Sequence, residues 1–215
     1  MKSKKKVFVT VLCAVLLVAA SVLGTMAYLT SNDEVVNTFT VGNVQIKLDE
    51  AKANTDGSLV ANADRVKANS YKLLPGHTYN KDPMVTVLKG SESSYVKMTV
   101  TFSHANELDA IFAPNGANMT SIFNGYDRSN WIYKENVKDT AANTRTYEFW
   151  YKETVAAPDG DVALDALFDS ITVPGSIDNA DLKSIAGMTI TVNAYAIQAD
   201  GFANAEAAWA AYGTN

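Results

Sequence analysis

The chain has 215 residues, 18 Lys+Arg against 23 Asp+Glu, a formal net charge of −5, 47% hydrophobic residues and one cysteine. That length can bury one substantial core. The acidic balance repels phosphate backbones and speaks against nucleic-acid binding, and a lone cysteine excludes an intrachain disulfide and a multi-thiolate metal site.

Lys2, Lys4, Lys5 and Lys6 precede an apolar run from Val7 to Ala20, which closes on Ser21-Val22-Leu23-Gly24-Thr25-Met26-Ala27. A basic head, an apolar middle and a small-residue end make residues 1–27 an export signal. Thr25 and Ala27 supply the small side chains needed at −3 and −1, so cleavage is expected between Ala27 and Tyr28. Val7 to Leu23 lies at the lower length limit for a spanning helix, and the polar Ser31-Asn32-Asp33-Glu34 follows closely, so cleavage is favoured over a retained anchor. Cys13 follows Leu12 inside the apolar run, where a lipobox needs a small residue. Membrane contact is thus expected only through the signal before cleavage, and the protein is expected to be secreted. Losing the four lysines leaves 14 basic against 23 acidic residues, a net charge of −9 and no thiol.

Residues 28–43 are expected to be an extended segment. Val35, Phe39 and Val41 fall on one alternating face, broken by Asn37, and Val36, Thr38 and Thr40 on the other. A β-prone segment freed by proteolysis can add to an exposed sheet edge, or it can be the first strand of its own domain. Burying three or four such side chains contributes roughly 5–12 kcal/mol. Each backbone hydrogen bond adds about 0.5–1.5 kcal/mol, against an association cost of ~4–15 kcal/mol. A donor of about ten residues could therefore hold a filament.

Period-2 alternation dominates residues 44–215. It predicts strands at Val44–Leu48, Val96–Phe102, Tyr147–Tyr151 and Met188–Gln198, with shorter ones at Met84–Leu88 and Trp131–Tyr133. Breakers at Pro75-Gly76, Lys89-Gly90-Ser91, Pro114-Asn115-Gly116, Asn124-Gly125 and Pro158-Asp159-Gly160-Asp161 separate them. Ala51 to Asn69 reads as a long surface excursion. Short helices are expected at Val162–Phe168, from Asp178 or Asp181 to Ile185, and at Ala203–Tyr212. The expected fold is all-β with short helices: an antiparallel, jelly-roll-like β-sandwich.

Catalytic chemistry is poorly represented. His77 and His104 stand 27 residues apart with no ligand pattern around them, and neither a nucleophile elbow nor a phosphate-cradling glycine loop is present. Asp159, Asp161, Asp165, Asp178 and Asp181 could hold calcium, but helix capping is the simpler role. Asn118-Met119-Thr120 fits the glycosylation pattern. No cofactor and no catalytic or metal-ligating residue is assigned.

The junction Gly24-Thr25-Met26-Ala27-Tyr28-Leu29-Thr30 resembles those cut by the signal peptidase SipW. The segment Asn37-Thr38-Phe39-Thr40-Val41-Gly42-Asn43-Val44 is similar to the start of mature TasA/camelysin-type proteins. Leu74-Pro75-Gly76 and Ala194-Tyr195-Ala196-Ile197-Gln198 add to the likeness. The resemblance implies a secreted jelly-roll subunit of extracellular biofilm-matrix fibres. Its partners would be further copies of itself, a SipW-like peptidase and a matrix or cell-surface component. It implies that residues from Tyr28 to about Val41, with Val35, Val36, Phe39 and Val41 as anchors, fill a groove in the neighbouring subunit. Camelysin is described as a metalloprotease, and no zinc-ligand motif supports carrying that activity over. Two alternatives are a carbohydrate- or surface-binding module using exposed aromatics such as Trp131, Trp150 and Tyr151, and a secreted metalloprotease.

Overall fold

The computed structural model describes residues 42–112 and 122–212, all within one compact unit, Gly42–Asn215. The expected cleavage residues Thr25, Ala27 and Tyr28 lie outside the described residues. So do the donor residues Val35, Val36, Phe39 and Val41, the Pro114-Asn115-Gly116 turn and the Asn118 sequon.

Strands dominate and every named pairing is antiparallel. In chain order they are β1 (Ile46–Asp49), β2 (Thr78–Asn80), β3 (Met84–Val87), β4 (Ser91–Ser103), β5 (Trp131–Asp139), β6 (Thr144–Tyr151), β7 (Val155–Ala157), β8 (Val162–Ala163), β9 (Ser170–Thr172) and β10 (Ile190–Gln198). One sheet runs β1-β3-β8. A second runs β10-β4-β6-β5, with β7 also on β4, and β2 pairs β9 in a third. Among the described residues three helices accompany them: α1 (Ala105–Phe112), α2 (Asn179–Ser184) and α3 (Ala205–Tyr212). None is long and apolar enough to cross a membrane.

The alternating residues carry the core. Val96, Met98, Val100 and Phe102 on β4 and Tyr147 and Phe149 on β6 point inward and are at most 5% exposed. They share one cluster with Val85 and Val87 of the first sheet and with Leu164, Leu167 and Phe168. Phe123 lies at its centre, its ring 4.6–5.8 Å from those of Phe102, Tyr147, Phe149 and Phe168. The Tyr147 hydroxyl finds no hydrogen-bond partner there, and burial pushes its ionisation up to about 12. Gly90 turns β3 into β4 at φ +84°, a left-handed conformation that glycine adopts without a Cβ clash; Ser91 N–H closes the turn on Leu88 O at 3.1 Å.

Two helix expectations agree with the structure. Asp178 caps α2, accepting from Ala180 and Asp181 N–H, while Asp181 bonds back to Asp178 N–H. The alanine-rich α3 lays Trp209 and Ala208 against the protein, both buried. The helix expected at Val162–Phe168 is absent. There β8 pairs with β3, and the chain continues irregularly with Leu164 N–H on Val85 O and Leu167 N–H on Pro83 O. The core recruits these apolar side chains through tertiary contacts, which override a local helical spacing. Consequently Asp161 and Asp165 cap no helix; they accept from Lys89 N–H and the Asn130 amide.

Candidate functional site: an open sheet edge

Among the described residues the β10-β4-β6-β5 path of the main sheet ends on β5 and β10, which differ in chemistry. β5 carries Lys134, Glu135, Lys138 and Asp139, and its register is broken by a bulge between Tyr133 and Glu135. Charges and bulges discourage another strand from pairing. β10 reads Ile-Thr-Val-Asn-Ala-Tyr-Ala-Ile-Gln, with no charge and no proline. Its register with β4 is unbroken across nine pairs, Ile190↔Phe102 to Gln198↔Ser94. Among the described residues no strand pairs with its other side.

The hydrogen-bond phase shows which backbone groups are left over. Thr189 O accepts from Ser103 N–H at 3.0 Å, and Ala199 N–H donates to Ser93 O at 2.8 Å. Odd-numbered residues of β10 therefore bond to β4. The alternation of an antiparallel ladder turns the N–H and C=O groups of Ile190, Val192, Ala194, Ala196 and Gln198 away from it.

The first four of those residues also face the core, yet they are only partly buried, whereas their partners Phe102, Val100, Met98 and Val96 are at most 5% exposed. Ile46 and Leu48 of β1 are likewise incompletely covered. The core thus stops short along a seam beside β10. At the Ile190 end the seam opens into a groove of about 360 Å³, bounded by Leu48, Asp49 and Glu50 on one side and Ile190, Thr191 and Val192 on the other, with Lys67, Asn69 and Lys81 also lining it.

The Ala51–Asn69 excursion frames this groove and is tied down at several points. Glu50 and Val66 exchange backbone bonds at 2.9 and 2.8 Å. Asn69 donates to Glu50 Oε1 and Ala51 O. Arg65 bridges Asp49 at 2.6 Å and Asp82 at 2.8 Å. Lys47 Nζ stands 2.7 Å from Asp49 Oδ2 as a charge contact, outside hydrogen-bond alignment. Lys81 pairs with Glu50, both nearly buried. Lys67 Nζ donates to Leu48 O.

Burial acts to raise the Asp49 carboxyl, but the Lys47 charge and the hydrogen bonds and charge of Arg65 outweigh it and hold the group below the usual aspartate range. Asp109 is held low in the same way, burial being outweighed by Lys138 and Arg145. Carboxylates held low in the folded state stabilise it above the unfolded value of about 3.9 and lose that contribution as pH falls through their lower folded values. The thermal midpoint of the protein is therefore expected to be insensitive to these groups between about pH 7 and 5 and to decline below about pH 4. Asp109→Asn should make that acid decline shallower in a calorimetric pH series; an unchanged slope would remove Asp109 from the account.

The other sequence-derived sites fare differently. Trp131 is 1% exposed, its indole N–H bound to Asp165 O, and Tyr151 packs against it at 5.0 Å. These two make no exposed sugar platform, because the inward face of β5 and β6 places them against the core. Trp150 lies on the opposite face between Trp209 and Lys134, whose Nζ is 4.0 Å from the Trp150 ring centre. His104 Nδ1 and Ser103 Oγ are 3.0 Å apart, and His77 stands 6.4 Å from the Tyr79 ring. No group of three or more His, Cys, Asp or Glu is placed to hold a metal ion among the described residues. The edge role of β10 and the position of Lys67 were not read from the sequence, although nine uncharged residues in a row were the signal.

Comparison with protein families, curated proteins and solved structures finds no match to this chain.

Proposed function

We propose that this protein is a secreted, non-catalytic structural subunit that polymerises by donor-strand addition. A SipW-like peptidase cuts after Ala27, and residues 28–41 of one copy then add to the β10 edge of the next. The two main sheets take a jelly-roll-like arrangement, and the fibres belong to an extracellular matrix or cell surface, as in the TasA/camelysin-type proteins that the N-terminal region resembles. The observation that carries this proposal is the outer edge of β10, with which no strand among the described residues pairs. Five outward backbone positions and four half-covered core side chains lie along one strand with none of the charges or bulges that protect β5. An extended segment with Val35, Phe39 and Val41 on one face supplies the two things the edge lacks, backbone partners and apolar cover.

The full chain, produced in an exporting host and collected from the medium after signal removal, is expected to form uniform filaments visible by electron microscopy. Dispersed single particles at every concentration tested would overturn the proposal.

A further inference from the structure

Resting on that proposal, we infer that the donor lies parallel to β10, with Asp33-Glu34 at the Lys67 end and Val41 at the Gln198 end. The two ends of the edge carry opposite charge. At the Ile190 end the groove acids are already neutralised: Asp49 by Lys47 and Arg65, Glu50 by Lys81. Lys67 is exposed, donates to a carbonyl, and has no carboxylate within 4 Å among the described residues. At the other end Asp200 follows Gln198 by two residues, and Glu92 adjoins Ser93, the residue bonded to Ala199. Both are exposed acids. The donor segment has two charged side chains, Asp33 and Glu34, both acidic and both N-terminal to its apolar part. Attraction at Lys67 and repulsion at Asp200 and Glu92 favour one direction.

The side chains fit the same direction. With Val35 beside Ile190, Asn37 falls beside Val192, Phe39 beside Ala194 and Val41 beside Ala196. Asn37, the break in the apolar face, then falls beside Val192, which lines the same groove as Asn69 and Lys81. Phe39, the largest donor side chain, sits over an alanine. The antiparallel alternative places Asn37 over Ala194, which does not line that groove, and crowds Phe39 against Val192.

Two double-cysteine variants separate the directions, because export leaves no native thiol. Parallel docking places Val36 opposite Thr191; antiparallel docking places Thr40 there. Thr191 is exposed; Val36 is itself one of the four donor anchors, so the pairs are compared only in variants that still form filaments. In filaments of exported protein treated with a short thiol cross-linker, Val36→Cys/Thr191→Cys is expected to give a covalent ladder on a denaturing gel. Thr40→Cys/Thr191→Cys is expected to give none. A ladder from the second pair alone overturns the parallel orientation and leaves donor-strand addition standing. Filaments that ladder with neither pair overturn both the orientation and the β10 edge. Lys67→Glu should raise the critical concentration about tenfold, a change of about 1.4 kcal/mol, and the Asp33→Lys/Glu34→Lys partner should restore it. No effect of the charge reversal would contradict the assignment of Lys67.

Discussion

Ala194→Pro is expected to abolish filaments while leaving the domain folded. Residue 194 lies at the middle of β10, and its N–H points away from β4, so proline there removes no bond of the existing ladder. The ring does remove the central outward donor and places its bulk where a neighbouring strand must approach. Forcing the strand dihedral costs the domain about 1–3 kcal/mol, a tolerable fraction of a stability of about 5–15 kcal/mol. Asn193→Pro is the informative contrast. Asn193 pairs with Thr99 in the bonded phase, so its N–H is needed by β4 and the change should destabilise the domain itself. Normal filament yield from Ala194→Pro would remove β10 from the assembly.

Beginning the chain at Gly42 should leave a soluble monomer. The lost segment supplies roughly 5–12 kcal/mol of apolar burial. Even the lower figure raises the critical concentration by more than about a thousandfold, at 1.4 kcal/mol per decade. The shortened chain keeps its acceptor edge, so it can receive a donor and offers none. Added in small proportion to the complete protein it should therefore cap growing ends and shorten the filaments, as light scattering and microscopy would register. Filaments from the shortened chain alone would end the donor-strand account.

Much of the sheet was legible because half-buried strands write their burial at period two. β4, β6 and β10 are the long alternating runs, and each forms close to where Val96–Phe102, Tyr147–Tyr151 and Met188–Gln198 place it. β5 runs on to Asp139, since its exposed Ile132 and Val137 and its bulge blur the alternation beyond Tyr133. β2, β7, β8 and β9 have two or three residues each. At that length periodicity carries no signal, and long-range pairing decides. α1 was overlooked although Leu108, Ile111 and Phe112 have helical spacing, with Glu107 in the first turn. Alternation also tells which face of a strand is buried but not which strand ends a sheet. The edge position of β10 follows from pairing partners distant in sequence, and so does the convergence of Leu48, Lys67 and Val192 on one groove.

The most direct measurement is residue-resolved hydrogen exchange on β10, in the filament and in the chain beginning at Gly42. In the shortened chain the amides of Val192, Ala194 and Ala196 are expected to exchange freely, while those of Thr191, Asn193 and Tyr195, bonded to β4, are protected. In the filament all six should be protected. Continued fast exchange at Val192, Ala194 and Ala196 within well-formed filaments would contradict the claim that a neighbour's strand completes this sheet.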